Sequence, residues 1–162
     1  MTGGAVFDST GAYRYLLRRE WDASRPRLAV VMLNPSTADA TTDDPTIRRT
    51  TAFARAWGFG SVEVVNLFAL RATRPHDLFA ALNPEGADNR VALRDAAARA
   101  SEVLLAWGNH GGFRNAGARA IELLRDHRLT CLGLTKVGQP RHPLYLPAST
   151  LRVPWPGEGQ TG

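Results

Sequence analysis

Four near-continuous apolar runs, separated by helical patterns and each closed by a short polar signature, constrain this chain more than any other feature. They read Leu28-Ala-Val-Val-Met-Leu-Asn34-Pro35-Ser36-Thr37, Val62-Glu-Val-Val-Asn66-Leu-Phe68, Glu102-Val-Leu-Leu-Ala-Trp107-Gly108-Asn109-His110 and Cys131-Leu-Gly-Leu-Thr135-Lys136-Val-Gly-Gln139-Pro-Arg141-His142-Pro143. Apolar runs without alternation mark parallel strands covered on both faces. Strands that alternate with helices imply an α/β sandwich, because βαβ crossovers are right-handed in nearly all cases. The expected fold is therefore a three-layer α/β/α sandwich around a central, mainly parallel four-stranded sheet. Open parallel sheets bind ligands outside the carboxyl ends of their strands, which is where all four signatures fall.

The helices carry their own start signals. Asp43-Asp44-Pro45 offers an N-cap acid with proline at the first helical position. Behind it Ile47, Thr51, Ala54 and Trp57 share a face, and Gly58 ends the helix. Thr73-Arg74-Pro75 opens a short helix through Leu82, Asp88 caps a third through Ala100, and a fourth spans about Arg114 to His127. Ahead of the core, residues 5–21 alternate around Ser9-Thr10-Gly11 as a β-hairpin. Asp22 to Pro26 is a polar connector, the α/β core covers 28–146, and 147–162 forms a Pro/Gly-rich tail, loose at its end. The 162 residues read as a single domain.

Composition narrows the function classes. No apolar run approaches the roughly 20 residues of a membrane span, and no signal-peptide pattern opens the chain, so a cytoplasmic, membrane-free protein is expected. The single cysteine, Cys131, excludes an internal disulfide and sits in an apolar run as a small hydrophobe. No compact metal-ligand set, Walker loop, dinucleotide fingerprint or Gly-x-Ser-x-Gly elbow occurs, so neither metal nor cofactor is expected. The net charge of +5, from nineteen Arg and one Lys against fifteen acids, favours a polyanion such as DNA or a nucleotide as partner. Arg richness alone also follows from a GC-rich genome. A monomer is expected.

Each signature has a chemical and a structural reading. Proline after Asn34 holds that residue extended and presents its amide at the sheet edge; the alternative is an Asn-Pro turn. Asn66 interrupts an apolar strand, where a buried amide is costly unless paired. Its adjacent donor and acceptor match a nucleobase edge, or else bond a neighbouring loop. Trp107 either packs or stacks, and Gly108 suggests close backbone approach. Asn109-His110-Gly111-Gly112 leads into a helix with free N–H groups, with His110 a secondary candidate. The Thr135–Pro143 loop combines Lys136, Gln139, Arg141 and His142, suited to a phosphate clamp plus a hydrogen-bond donor. His76 and His127 sit at helix ends as solvated side chains.

Met32-Leu-Asn-Pro-Ser-Thr-Ala-Asp39, Asp44-Pro-Thr-Ile-Arg-Arg49, Val65-Asn-Leu-Phe-Ala-Leu-Arg-Ala-Thr73 and Pro140-Arg-His-Pro-Leu-Tyr-Leu146 resemble the domain-of-unknown-function family 1643 of bacteria and phages. The four strand ends are also similar, more distantly, to the uracil-DNA glycosylase superfamily. That resemblance implies a DNA glycosylase-like hydrolase of DNA repair, which cleaves the N-glycosidic bond of a flipped-out uracil-type or other modified base. It implies that Asn34 positions the attacking water and that His142 stabilises the departing base. Asn66 would read the base edge, with Ser36, Phe68 and Trp107 completing the base pocket. Lys136, Gln139 and Arg141 would hold the DNA backbone, and Leu144 or Tyr145 would wedge into the stack. Ser36 stands where the superfamily's main branch places a bulky Tyr, so 5-substituted bases should be tolerated. Asp39, Asp43 and Asp44 have no counterpart and would repel phosphates unless they serve catalysis or cap a helix. A non-catalytic module that binds a nucleotide or modified base, and a small-nucleoside hydrolase, are the alternatives.

Overall fold

Strong β-branched content, with apolar side chains on both faces, makes strands of the runs. In a computed structural model describing residues 1–156, they are β3 (Arg27–Met32), β4 (Ser61–Asn66), β5 (Glu102–Leu105) and β6 (Leu129–Cys131). With β1 (Thr2–Phe7), β2 (Arg14–Glu20) and β7 (Val153–Pro154) they build one mixed sheet, ordered β1-β2-β4-β3-β5-β6-β7. The inner four run parallel, with Val30 opposite Val64 on one side and Leu104 on the other. Residues such as Leu28, Val30, Val31 and Leu105 have no exposed surface, and each contributes about 1.5–3 kcal/mol by leaving water.

Helices cover both faces of the sheet. α1 (Pro45–Ala56) packs Ile47, Phe53 and Ala54 on one side with Val30, Met32 and Val64. α2 (Pro75–Ala80), α3 (Asn89–Arg99) and α4 (Ala116–Leu123) place Leu78, Leu93, Ala96 and Ala120 on the other, against Val31, Val65 and Leu105. Asp44 caps α1 as expected, accepting from the Ile47 N–H at 2.9 Å with Pro45 behind it. Asp88 precedes α3 without a side-chain cap bond.

The sheet is wider than four strands. The hairpin is no separate appendage: β2 pairs antiparallel with β4, Leu17 opposite Val64, and Leu17 is fully buried. The tail also contributes, because β7 pairs with β6 and Arg152 reaches the buried Glu102 at 2.5 Å. Both additions cover parallel-strand edges that would otherwise leave backbone groups unpaired. The expected loose end, 157–162, lies outside the described residues. Boundaries also shift, the second helix ending at Ala80 and the fourth at Leu123. The fourth run leaves the sheet at Cys131, and the fourth helix begins at Ala116 after a short 3-10 segment, Asn109–Asn115. Arg114 and Asn115 interrupt it with φ of 52° and 57°.

Candidate functional site

In the parallel order β4-β3-β5-β6 the chain leaves β3 toward one edge and later crosses back beyond it to β5. Such a switch in direction opens a crevice at the carboxyl ends of the strands. A cavity of about 500 Å³ lies there, and Asn34, Asn66, Trp107 and His142, one from each signature, all line it. The four motifs are brought to one place.

Asn66 ends β4 and is 1% exposed, yet among the described residues neither its Nδ2 nor its Oδ1 has a hydrogen-bond partner. No described loop satisfies it. A second buried group stands on the adjacent strand: Arg14, 2% exposed, whose Nη1 donates to Ala38 O at 2.9 Å while Nε has no partner among the described residues. The cause of its position is local. Val6 pairs with Leu16 but Phe7 pairs with Arg14, so Tyr15 is an extra residue in β2. Leu16 packs toward α3 and the Tyr15 hydroxyl accepts from Asp88 N there, so the bulge delivers Arg14 to the α1 face, where the cavity lies. Burial lowers the guanidinium to about 10, against the opposing pull of Asp44.

Asn34 follows β3. Its Nδ2 donates to Ala72 O at 2.8 Å and Pro35 O at 3.0 Å, which orients the amide and leaves Oδ1 as an acceptor with no donor among the described residues. His142 Nδ1 accepts from Leu144 N at 3.1 Å, so in the neutral ring Nε2 carries the proton. Burial holds its pKa below the usual 6.5, opposed by the Asp44 carboxylate. A neutral donor and an oriented acceptor thus share one cavity with an unpaired amide. Ser36 and Asp44 complete the wall nearby.

A family model described as a protein of unknown function (DUF1643) matches residues 14–144. The chain belongs to that family. No curated protein and no solved structure matches it. The bounds of the DUF1643 match coincide with the first and last residues of the cavity wall, Arg14 and Leu144.

The remaining expected residues of this DUF1643 chain divide by position. Trp107 is 2% exposed, touches the cavity, and donates Nε1–H to Gln139 Oε1 at 2.8 Å. Gln139 therefore ties the His-Pro loop to β5, as does the bond from Gly108 N to Pro140 O at 2.9 Å. Phe68 is not brought to the cavity: it is fully buried on the opposite face of the sheet, tilted against Phe113. Lys136 and Arg141 are exposed on the loop, and Arg141 Nε donates to Leu134 O. Leu144 lies on the cavity wall, while Tyr145 beside it is 93% exposed with φ 74°. The acids resolve into local roles. Asp39 accepts from Thr41 and Thr42 N–H groups, which hold its pKa down, and Asp43 pairs with Arg19 at 2.8 Å. Arg14 was not among the expected site residues. Its signal is the run Tyr15-Leu16-Leu17, which breaks the alternation of an edge hairpin as a bulge does.

Proposed function

We propose that this protein is a monofunctional N-glycosidic hydrolase of DNA glycosylase type, acting on a flipped-out base. The observation that carries the reading is the buried Asn66 carboxamide at the end of β4, which has no partner among the described residues. Buried polar atoms that the described protein leaves unpaired at a cavity wall are positioned to meet a ligand, and a pyrimidine edge offers the complementary acceptor and N–H. The likeness of the four strand-end motifs to the uracil-DNA glycosylase superfamily supports the same assignment.

The steps follow from the side chains. A base leaves the duplex at a cost of a few kcal/mol and enters the cavity, where Asn66 bonds its edge. As the C1′–N bond breaks, the electron pair stays on the base, and the His142 Nε2–H donates to that growing anion. Such a donor counts most in the transition state. A neutral imidazole suits this task, because it donates without first needing a proton from solvent. Asn34 Oδ1 accepts from the water that attacks C1′. Ser36 leaves room for a 5-substituent, Lys136 and Arg141 face phosphates, and exposed Tyr145, with Leu144, fills the gap in the stack.

The test is an incision assay on oligonucleotides carrying uracil, 5-hydroxymethyluracil, hypoxanthine or a mismatch. Abasic product is expected on at least one, and it should vanish in Asn34→Ala and His142→Ala. Absence of product on every substrate would sink the hydrolase.

A further inference from the structure

The hydrolysis proposed above needs two things that its assigned residues do not supply. The sugar becomes cation-like as the bond breaks, and the attacking water must lose a proton. Asn34 can orient the water, but a carboxamide does not ionise. His142 spends Nδ1 on the Leu144 N–H and presents a donor, not a base.

Asp44 is the one carboxylate on the cavity wall among the described residues. Its Oδ1 is held by the Ile47 N–H at 2.9 Å, which anchors the carboxyl group, and its Oδ2 takes no hydrogen bond from the described protein. Its charge is felt across the cavity, at both Arg14 and His142. The two neighbouring acids are engaged elsewhere, Asp39 within its own turn and Asp43 with Arg19. Asp44 alone combines a fixed carboxylate, a free oxygen and a place on the wall.

We propose, resting on the hydrolase reading, that Asp44 is the ionised catalytic group: it faces the sugar cation and takes the proton of the water that Asn34 positions. The C1′–N electron pair leaves with the base, the water oxygen bonds C1′, and the water proton passes to Asp44 Oδ2. Capping α1 and serving the reaction are compatible, since each uses a different oxygen.

The experiment compares binding of two duplexes, one with a cationic pyrrolidine abasic mimic and one with the neutral tetrahydrofuran abasic analogue. Wild-type protein should bind the cationic duplex at least about tenfold more tightly, as expected of a transition-state mimic. Asp44→Asn keeps a good N-cap while removing the charge. It should bring the ratio to within about twofold of one while circular dichroism shows the protein still folded. Should Asp44→Asn unfold, Asp44→Ser, another favoured N-cap, makes the same test. A ratio near one in the wild type, or a ratio that persists without the carboxylate, overturns the role of Asp44 and leaves the hydrolase standing. Failure of the wild type to bind either duplex overturns both.

Discussion

The Asn66 carboxamide meets no hydrogen-bond partner among the described residues, and a buried amide that its protein leaves unpaired costs about 1–3 kcal/mol. Replacing it with an apolar side chain of similar size should remove that cost. Asn66→Leu is therefore expected to raise the unfolding free energy by about 1 kcal/mol while abolishing base binding, a trade of function for stability. Denaturant titration checks it, and a loss of stability would mean the amide is satisfied. His142 supplies a second residue-scale prediction. Its folded pKa lies below the ordinary 6.5, so below that value the unfolded chain binds the extra proton. Its contribution to stability is thus full above pH 6.5 and is lost as pH falls through 6.5 toward the folded value. A proton titration by NMR should place it under 6.5, and Asp44→Asn should lower it further by removing the carboxylate that opposes burial. A folded value above 6.5 would contradict the neutral donor.

The elements around the site are held by contacts as tight as those of the core. Trp107 lies directly on the backbone of Gly111: a Cβ there would fall 2.1 Å from the indole Cδ1 and Nε1. Gly111→Ala must displace the ring and break its bond to Gln139, and overpacking of this kind costs about 1–3 kcal/mol. Gly112→Ala, whose Cβ meets nothing nearer than 3.9 Å, should be almost silent. Thermal melts of the pair separate the two, and equal melts would disprove the contact. At this scale much was readable beforehand. The cap and proline at Asp44-Pro45, the Pro75 start and the hairpin turn are local chemistry, which a sequence states directly. Where the chain depends on distant partners it did not speak. Phe68 follows Asn66 by two residues, but once the strand ends at Asn66 it no longer shares its face. Likewise Val153 pairs only because β6 presents an open edge.

Seen whole, the molecule keeps its chemistry and its charge pairing at opposite ends of the sheet. The cavity opens beyond the strand carboxyl ends. Toward the other end, Glu63, 1% exposed, is gripped by Arg99 at 2.7 Å and Arg27 at 3.4 Å, and Glu102 begins β5 against Arg152. Several arginines are therefore held against acids within the fold, which fixes their positions and leaves the net charge of +5 unchanged. Lys136 and Arg141 are exposed on the His-Pro loop, and Arg74 lines the cavity wall. If these three contact phosphates, the logarithm of DNA affinity should fall against the logarithm of salt with a slope of about −3, since each neutralised phosphate contributes about −0.9. The double variant Lys136→Gln, Arg141→Gln should bring the slope to about −1 by the same rule. Discrimination between bases should persist, because phosphate contacts carry no base information. A slope near zero in the wild type would remove DNA as the partner and leave the cavity to a small nucleoside, which the Asn66 amide could still read.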